Sequence, residues 1–126
     1  RRIKFNTRFA VMKPNVVLAL SLVLLLLVIT TPVIAKTKEF YLTLENHIFT
    51  PSVLTIPANE KVKLIIENKD DVAEEFDSFD LNREKVIFAD KKVTIYIGPL
   101  IPGRYEYFGE FHPNSARGVI VVEEKK

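Results

Sequence analysis

The chain has 126 residues, with 18 Lys and Arg against 16 Asp and Glu, two histidines and no cysteine. The missing cysteine excludes disulfides, thiolate nucleophiles and thiolate metal ligands. Five of the 18 basic residues and none of the 16 acidic ones fall in the first 35 positions, which leaves 13 against 16, net −3, in residues 36–126. With its basic excess confined to the leader, the rest of the chain is not a nucleic-acid surface.

Taken in order, Arg1 to Val11 is a basic lead, and Met12-Lys13-Pro14 reads as the start of the natural protein. Val16 to Ile29 is apolar except for Ser21, follows Lys13, and ends near the small residues of Pro32-Val33-Ile34-Ala35. Charged start, short apolar core and small-residue end predict a signal-peptide helix cleaved after Ala35. That implies export, with membrane attachment only through the signal segment if it is retained. Residues 1–35 are then lead and signal, and 36–126 form one domain.

Beyond Ala35 the dominant period is two. Glu39 to Glu45 alternates, with Phe40, Leu42 and Leu44 on one face, and Lys61 to Glu67 alternates through Val62, Leu64 and Ile66. Lys91 to Ile97 does so through Val93, Ile95 and Ile97. Alternation of this kind marks half-buried strands. Shorter strands are predicted at Ile48–Pro51, Val53–Ile56, Val86–Phe88, Arg104–Phe108 and Gly118–Glu123. Glu74 to Phe79 is less regular, with acids around two phenylalanines expected to be buried. Leu81 to Lys85 could form a helical turn. Pro57-Ala58-Asn59-Glu60, Gly98-Pro99 and Pro102-Gly103 are turn punctuation. Seven or eight short strands with frequent turns predict an all-β, antiparallel Greek-key sandwich. The expected core is Phe40, Leu42, Phe49, Val62, Leu64, Ile66, Phe76, Val93, Ile95, Tyr105, Val119 and Val121.

The chemistry concentrates in Gly103 to Gly118, G-R-Y-E-Y-F-G-E-F-H-P-N-S-A-R-G, with four aromatics, three of the four glycines and one histidine. In Glu110-Phe111-His112 a carboxylate and an imidazole two residues apart share one side of an extended segment. Glu74-Glu75-Phe76-Asp77 is a second acidic patch, in which Glu75 and Asp77 share a face. Adjacent acids beside buried aromatics need a positive partner. His47 is a further candidate. Arg117 could neutralise Glu110 instead of a metal, and each of these groups read alone also suits a solvated face or a turn. There is no phosphate-binding glycine loop and no evident nucleophile–base pair.

An aromatic strand, a ligand turn, a glycine and a β-branched strand in that order resemble the end of a cupredoxin. Laid on that family's pattern, the turn histidine falls on His112, the cysteine position on Gly109, the methionine position on Arg117 and the upstream histidine near Glu74. Without the thiolate, a blue copper site is excluded.

The chain is more similar to the EfeO-type cupredoxin-like domains and, within them, to FtrB-like components of bacterial ferrous-iron uptake. The stretches that carry this resemblance are H-I-F-T-P (47–51), P-A-N-E-K-V-K-L (57–64), E-E-F-D-S (74–78), L-N-R-E-K (81–85), I-G-P-L (97–100), P-G-R-Y (102–105) and F-G-E-F-H-P-N-S-A-R-G (108–118). The resemblance implies a periplasmic protein that binds copper or iron and works with an iron permease and a periplasmic iron-binding protein. A metal-free interaction domain and a ferroxidase are the alternatives. The expected metal ligands are Glu74 or Glu75, Asp77, Glu110 and His112, with His47 as a further one. Carboxylate and imidazole suit Fe(III), Cu(II) or Mn(II) better than Cu(I).

Overall fold

The computed structural model describes residues 2–4, 13–19 and 29–126, and the chain divides into two compact units, Arg1–Ala35 and Lys36–Lys126. In the first unit, residues 14–19 are helical. Most of the apolar stretch expected to be a signal helix lies outside the described residues. Among the described residues, no helix is long and apolar enough to cross a membrane.

The second unit is all β. Its nine strands among the described residues are β1 (Glu39–Glu45), β2 (Ile48–Thr50), β3 (Val53–Pro57), β4 (Val62–Asn68), β5 (Glu74–Ser78), β6 (Arg83–Ile87), β7 (Lys92–Ile97), β8 (Gly103–Gly109) and β9 (Arg117–Glu123). They form two sheets, ordered β2-β1-β4-β7 and β3-β9-β8-β5-β6. Most neighbours are antiparallel, as expected, but β1–β4 and β3–β9 are parallel. Alternation shows that a strand has one buried face and says nothing of its direction. After the β1–β2 hairpin the chain leaves one sheet for the other, and β3 pairs alongside β9 instead of continuing the meander.

The core between the sheets is built from one face of each strand. β4 alternates in burial along its whole length and contributes Val62, Leu64 and Ile66. At the centre, Phe49 stands edge-on to Tyr107 with ring centroids 5.2 Å apart, and Phe76 stacks on Tyr107 at 5.1 Å. Burial raises the Tyr107 phenol far above its ordinary range, so the group is a neutral packing element that donates weakly to the Pro51 carbonyl oxygen.

Three details depart from the sequence reading. Ile120 and Val122 join the core cluster from β9, whereas of the expected pair Val119 is buried outside that cluster and Val121 is half-buried. This strand is apolar on both faces, so its composition carries no phase. Phe79 is 79% exposed although it was expected inside, because Phe76 takes the inward position and Phe79 lies an odd number of residues further on. Finally, Leu81–Lys85 is not a helical turn. The chain turns at 79–82 and leaves as β6, which pairs along β5.

Candidate metal centre

Three segments meet at one end of the sandwich. The first is the two-residue turn of the β1–β2 hairpin, closed by the Glu45–Ile48 pair. Asn46 and His47 both have positive φ, 53° and 59°, the conformation that a tight hairpin turn requires. The Asp70 carboxylate holds this turn, accepting the backbone N–H groups of Asn46 at 2.6 Å and His47 at 2.9 Å.

Asp70 is itself placed by Asn68, a fully buried residue at the end of β4. Asn68 Oδ1 accepts the Asp70 N–H, and its amide donates to the carbonyl oxygens of Val72 and Ile87. Neither residue was among the site candidates read from the sequence. A buried asparagine at a strand end, followed two residues later by an acid, was the available signal.

The second segment is the start of β5. Glu74 faces inward and is 1% exposed. Its Oε1 accepts the N–H groups of Glu75 at 3.0 Å and Phe111 at 2.8 Å. The third is the β8–β9 loop, wound so that the His112 carbonyl oxygen accepts from Ala116 and the Gly109 carbonyl oxygen from His112. This brings His112 Nδ1 to 2.7 Å from Glu74 Oε2.

Gly109 makes that arrangement possible. A Cβ there would stand 2.6 Å from Glu74 Cδ and 2.7 Å from Ala116 Cβ. The Glu74 carboxyl group therefore occupies the space that a side chain at position 109 would need.

The imidazoles of His47 and His112 stack, with centroids 3.6 Å apart and planes 14° from parallel. His47, Glu74 and His112 each offer one donor atom within 4.8 Å of the others, the only such group among the described residues. His47 Nδ1 is buried and has no hydrogen bond, the one side-chain atom of which this is true among the described residues. It lies 3.5 Å from Asp70 Oδ2, close enough for ionic attraction but outside hydrogen-bond geometry.

Of the six residues named from sequence, the fold brings together His47, Glu74 and His112. The other three are elsewhere. Strand alternation sends Glu75 and Asp77 to the opposite face of the sheet from Glu74. Glu110 is exposed at the start of the loop, where its N–H donates to the Glu75 carbonyl oxygen. Arg117 does not pair with Glu110, and its guanidinium donates to the Pro113 carbonyl oxygen.

The model of the cupredoxin-like domain family matches residues 18–122. The chain belongs to the cupredoxin-like domain family. An uncharacterised protein of Rickettsia prowazekii (strain Madrid E) is 43% identical over 86 residues, covering 68% of this chain and 69% of that protein. Solved structures share the fold at low identity. Auracyanin A, a blue copper protein of Chloroflexus aurantiacus, aligns with TM-score 0.60 at 14% identity, over 70% of this chain and all of its own. The metal-binding domain of the Cu(I)-exporting P-type ATPase CopA of Streptococcus pneumoniae aligns with TM-score 0.59 at 15% identity, over 68% and 85% of the two chains. A purple cupredoxin of Nitrosopumilus maritimus gives TM-score 0.51 at 20% identity, over 68% and 99%. Within this family the present chain has no cysteine, so it has no blue copper site.

Proposed function

We propose that the domain binds one copper(II) ion through His47, Glu74 and His112. The convergence of these three donors around an unpartnered buried imidazole nitrogen carries the proposal. Two imidazoles and a carboxylate, with no sulfur within reach, favour Cu(II) over Cu(I), and Cu(II) binds such sites most tightly among divalent first-row metals. Copper-binding structural relatives, auracyanin A and the CopA metal-binding domain with Cu(I), support copper as the metal.

Each residue has a definite task. Glu74 supplies charge from a dry position, where Gly109 leaves it room. Asn68 and Asp70 hold the His47 turn, as outer hydrogen bonds orient ligands at metal sites. Imidazole ligates a metal only as the free base, so copper binding would weaken as the pH falls. Bound copper(II) would supply a one-electron acceptor. On the EfeO-type resemblance, we place the protein in the periplasm, assisting iron uptake beside an iron permease and a periplasmic iron-binding protein.

A second reading has its own observation. Glu74 already accepts three hydrogen bonds, which suits a metal-free interaction domain that keeps the triad as a staple. Titrating the full chain with copper(II) by calorimetry separates the two. The metal-binding reading expects one saturable site, a higher melting temperature with copper, and loss of both in His112→Ala. Absence of a saturable site in the wild type sinks it. Ferrous-iron oxidation by copper-loaded protein, compared with free copper, tests the iron role.

A further inference from the structure

We propose that the outer face of the β3-β9-β8-β5-β6 sheet docks a basic segment of a partner protein, with a Lys or Arg side chain seated in a groove between Phe79, Phe108, Asp80 and Glu106. The groove uses none of the residues of the histidine site and goes beyond the function proposed above.

β8 presents Glu106 and Phe108 together, because residues two apart on a strand point the same way. At the turn that follows β5, Phe79 packs against Phe108, with ring centroids 5.5 Å apart and planes tilted by 52°. Phe79 nevertheless leaves most of its ring in solvent. Asp80 is anchored beside it, since its Oδ2 accepts the Glu106 N–H at 2.8 Å. These four residues line one surface cavity of about 380 Å³, and Arg117 is the one cation among its lining residues. Arg117 Nε donates to the Pro113 carbonyl oxygen.

The outer face of the other sheet shows what the groove lacks. There Glu39 pairs with Lys63 at 3.1 Å and Glu67 with Lys92 at 3.8 Å. The aromatic ring of Tyr96 carries Lys61, whose Nζ stands 4.9 Å from the ring centroid. Those acids and that ring take their cations from the domain itself. Around the groove, among the described residues, none of Asp77, Asp80, Glu84 and Glu106 forms an ion pair, and no cation stands over Phe79 or Phe108. The register sets Asp77 opposite Phe108, and Glu84 opposite Asp77, so unpaired acids continue from the groove across β5 to β6.

The composition of the groove selects the kind of cation. A guanidinium or ammonium over a phenyl ring is attracted by the ring's negative face, and a carboxylate beside it adds a charge-assisted hydrogen bond. An inorganic ion gains nothing from the aromatic wall, whereas an organic cation uses wall and carboxylates together. Exposed apolar surface rimmed by polar groups marks contact sites for proteins, and the unpaired acids around it complement a basic partner.

The probe is a tetra-arginine amide peptide, with the uncharged tetra-citrulline peptide as control. Both are added to the isotope-labelled full chain, with binding read by calorimetry and by backbone amide shifts. We expect saturable binding of the arginine peptide, with the largest shifts at Phe79, Asp80, Glu106 and Phe108. Asp80→Asn combined with Glu106→Gln should weaken it at least tenfold. Phe79→Leu, which keeps an apolar side chain but removes the ring face, should weaken it severalfold. Both variants change exposed side chains and should melt as the wild type does. His112→Ala should bind the peptide as the wild type does while losing copper, which keeps failure of the histidine site distinct from failure of this one. The proposal is overturned if no saturable binding is found, or if the citrulline peptide binds equally well. It is equally overturned if the largest shifts fall on another face, or if Phe79→Leu binds as tightly as the wild type, leaving only general attraction to acids. A wild type that sediments as a dimer, with Phe79→Leu a monomer, would give the face to a second copy of the chain and overturn it too.

Discussion

Glu74 and Glu75 are neighbours in sequence and live in different chemistry. Glu74 points into the sandwich, is 1% exposed and accepts three hydrogen bonds. Glu75 points out of the sheet, is half-exposed and is surrounded by other acids. One face builds a carboxylate that is held and partnered. The other gathers carboxylates that repel. The difference teaches that a run of acids on a strand is two sites read alternately, and that only one of them here includes histidines.

The largest expected effect comes from Glu74→Ala. It orphans the Phe111 and Glu75 N–H groups, and an unsatisfied buried hydrogen-bonding group costs about 1–3 kcal/mol. A large drop in melting temperature and loss of the copper site are expected, read by thermal unfolding and calorimetry. Glu74→Gln should remain folded and still lose most copper affinity, which separates the charge from the packing.

Gly109→Ala tests the same inner face by steric means. The added methyl collides with Glu74 and Ala116, and overpacking of this kind costs roughly 1–3 kcal/mol. If denaturant unfolding shows the variant as stable as the wild type, Glu74 does not fill that space in solution.

Asn68→Ala acts one step further out. It removes the amide that bridges Val72 and Ile87 and frees Asp70, which holds the His47 turn. A buried hydrogen-bonding group lost in this way costs about 1–3 kcal/mol, and an outer-sphere partner of a metal ligand is worth about 10–100-fold in affinity. Copper affinity should fall in that range while His47 and His112 remain in place.

The smallest effect belongs to the outer face. The Glu75 carboxyl titrates above its ordinary value of 4.5 in the folded chain. The folded state therefore holds more protons than the unfolded one just above that pH, and stability falls as pH rises through the window. Above the window the penalty is complete. Glu75→Gln should raise the metal-free melting temperature at neutral pH, and the gain should vanish in acid, where the wild-type carboxyl is protonated. A gain that persists unchanged in acid would show that repulsion is not its source.

Much of the sandwich was legible in the residues. The period-two stretches of β1, β4 and β7 became strands within a residue or two of their expected bounds. Where both faces are apolar, as in β9, alternation lost its phase, and Ile120 and Val122 take the central positions expected of Val119 and Val121. The candidate ligands His47, Glu74 and His112 were on the sequence shortlist, but so were Glu75, Asp77 and Glu110. Nothing in E-E-F-D says which acid faces in. Phe76 decides it, because it must meet Phe49 and Tyr107 in the core, and Glu74 goes inward with it.

The sequence by itself determined the strand count to within one or two, the β-sandwich class, and the exclusion of thiolate copper chemistry. These follow from local alternation and from composition, which need no partner in space. Only the tertiary structure decided the parallel pairs, the convergence of His47 with His112 across 64 intervening positions of chain order, and the use of the Gly109 gap by Glu74. Each of these depends on which segments pack together from afar, and a single strand's pattern carries no record of its neighbours.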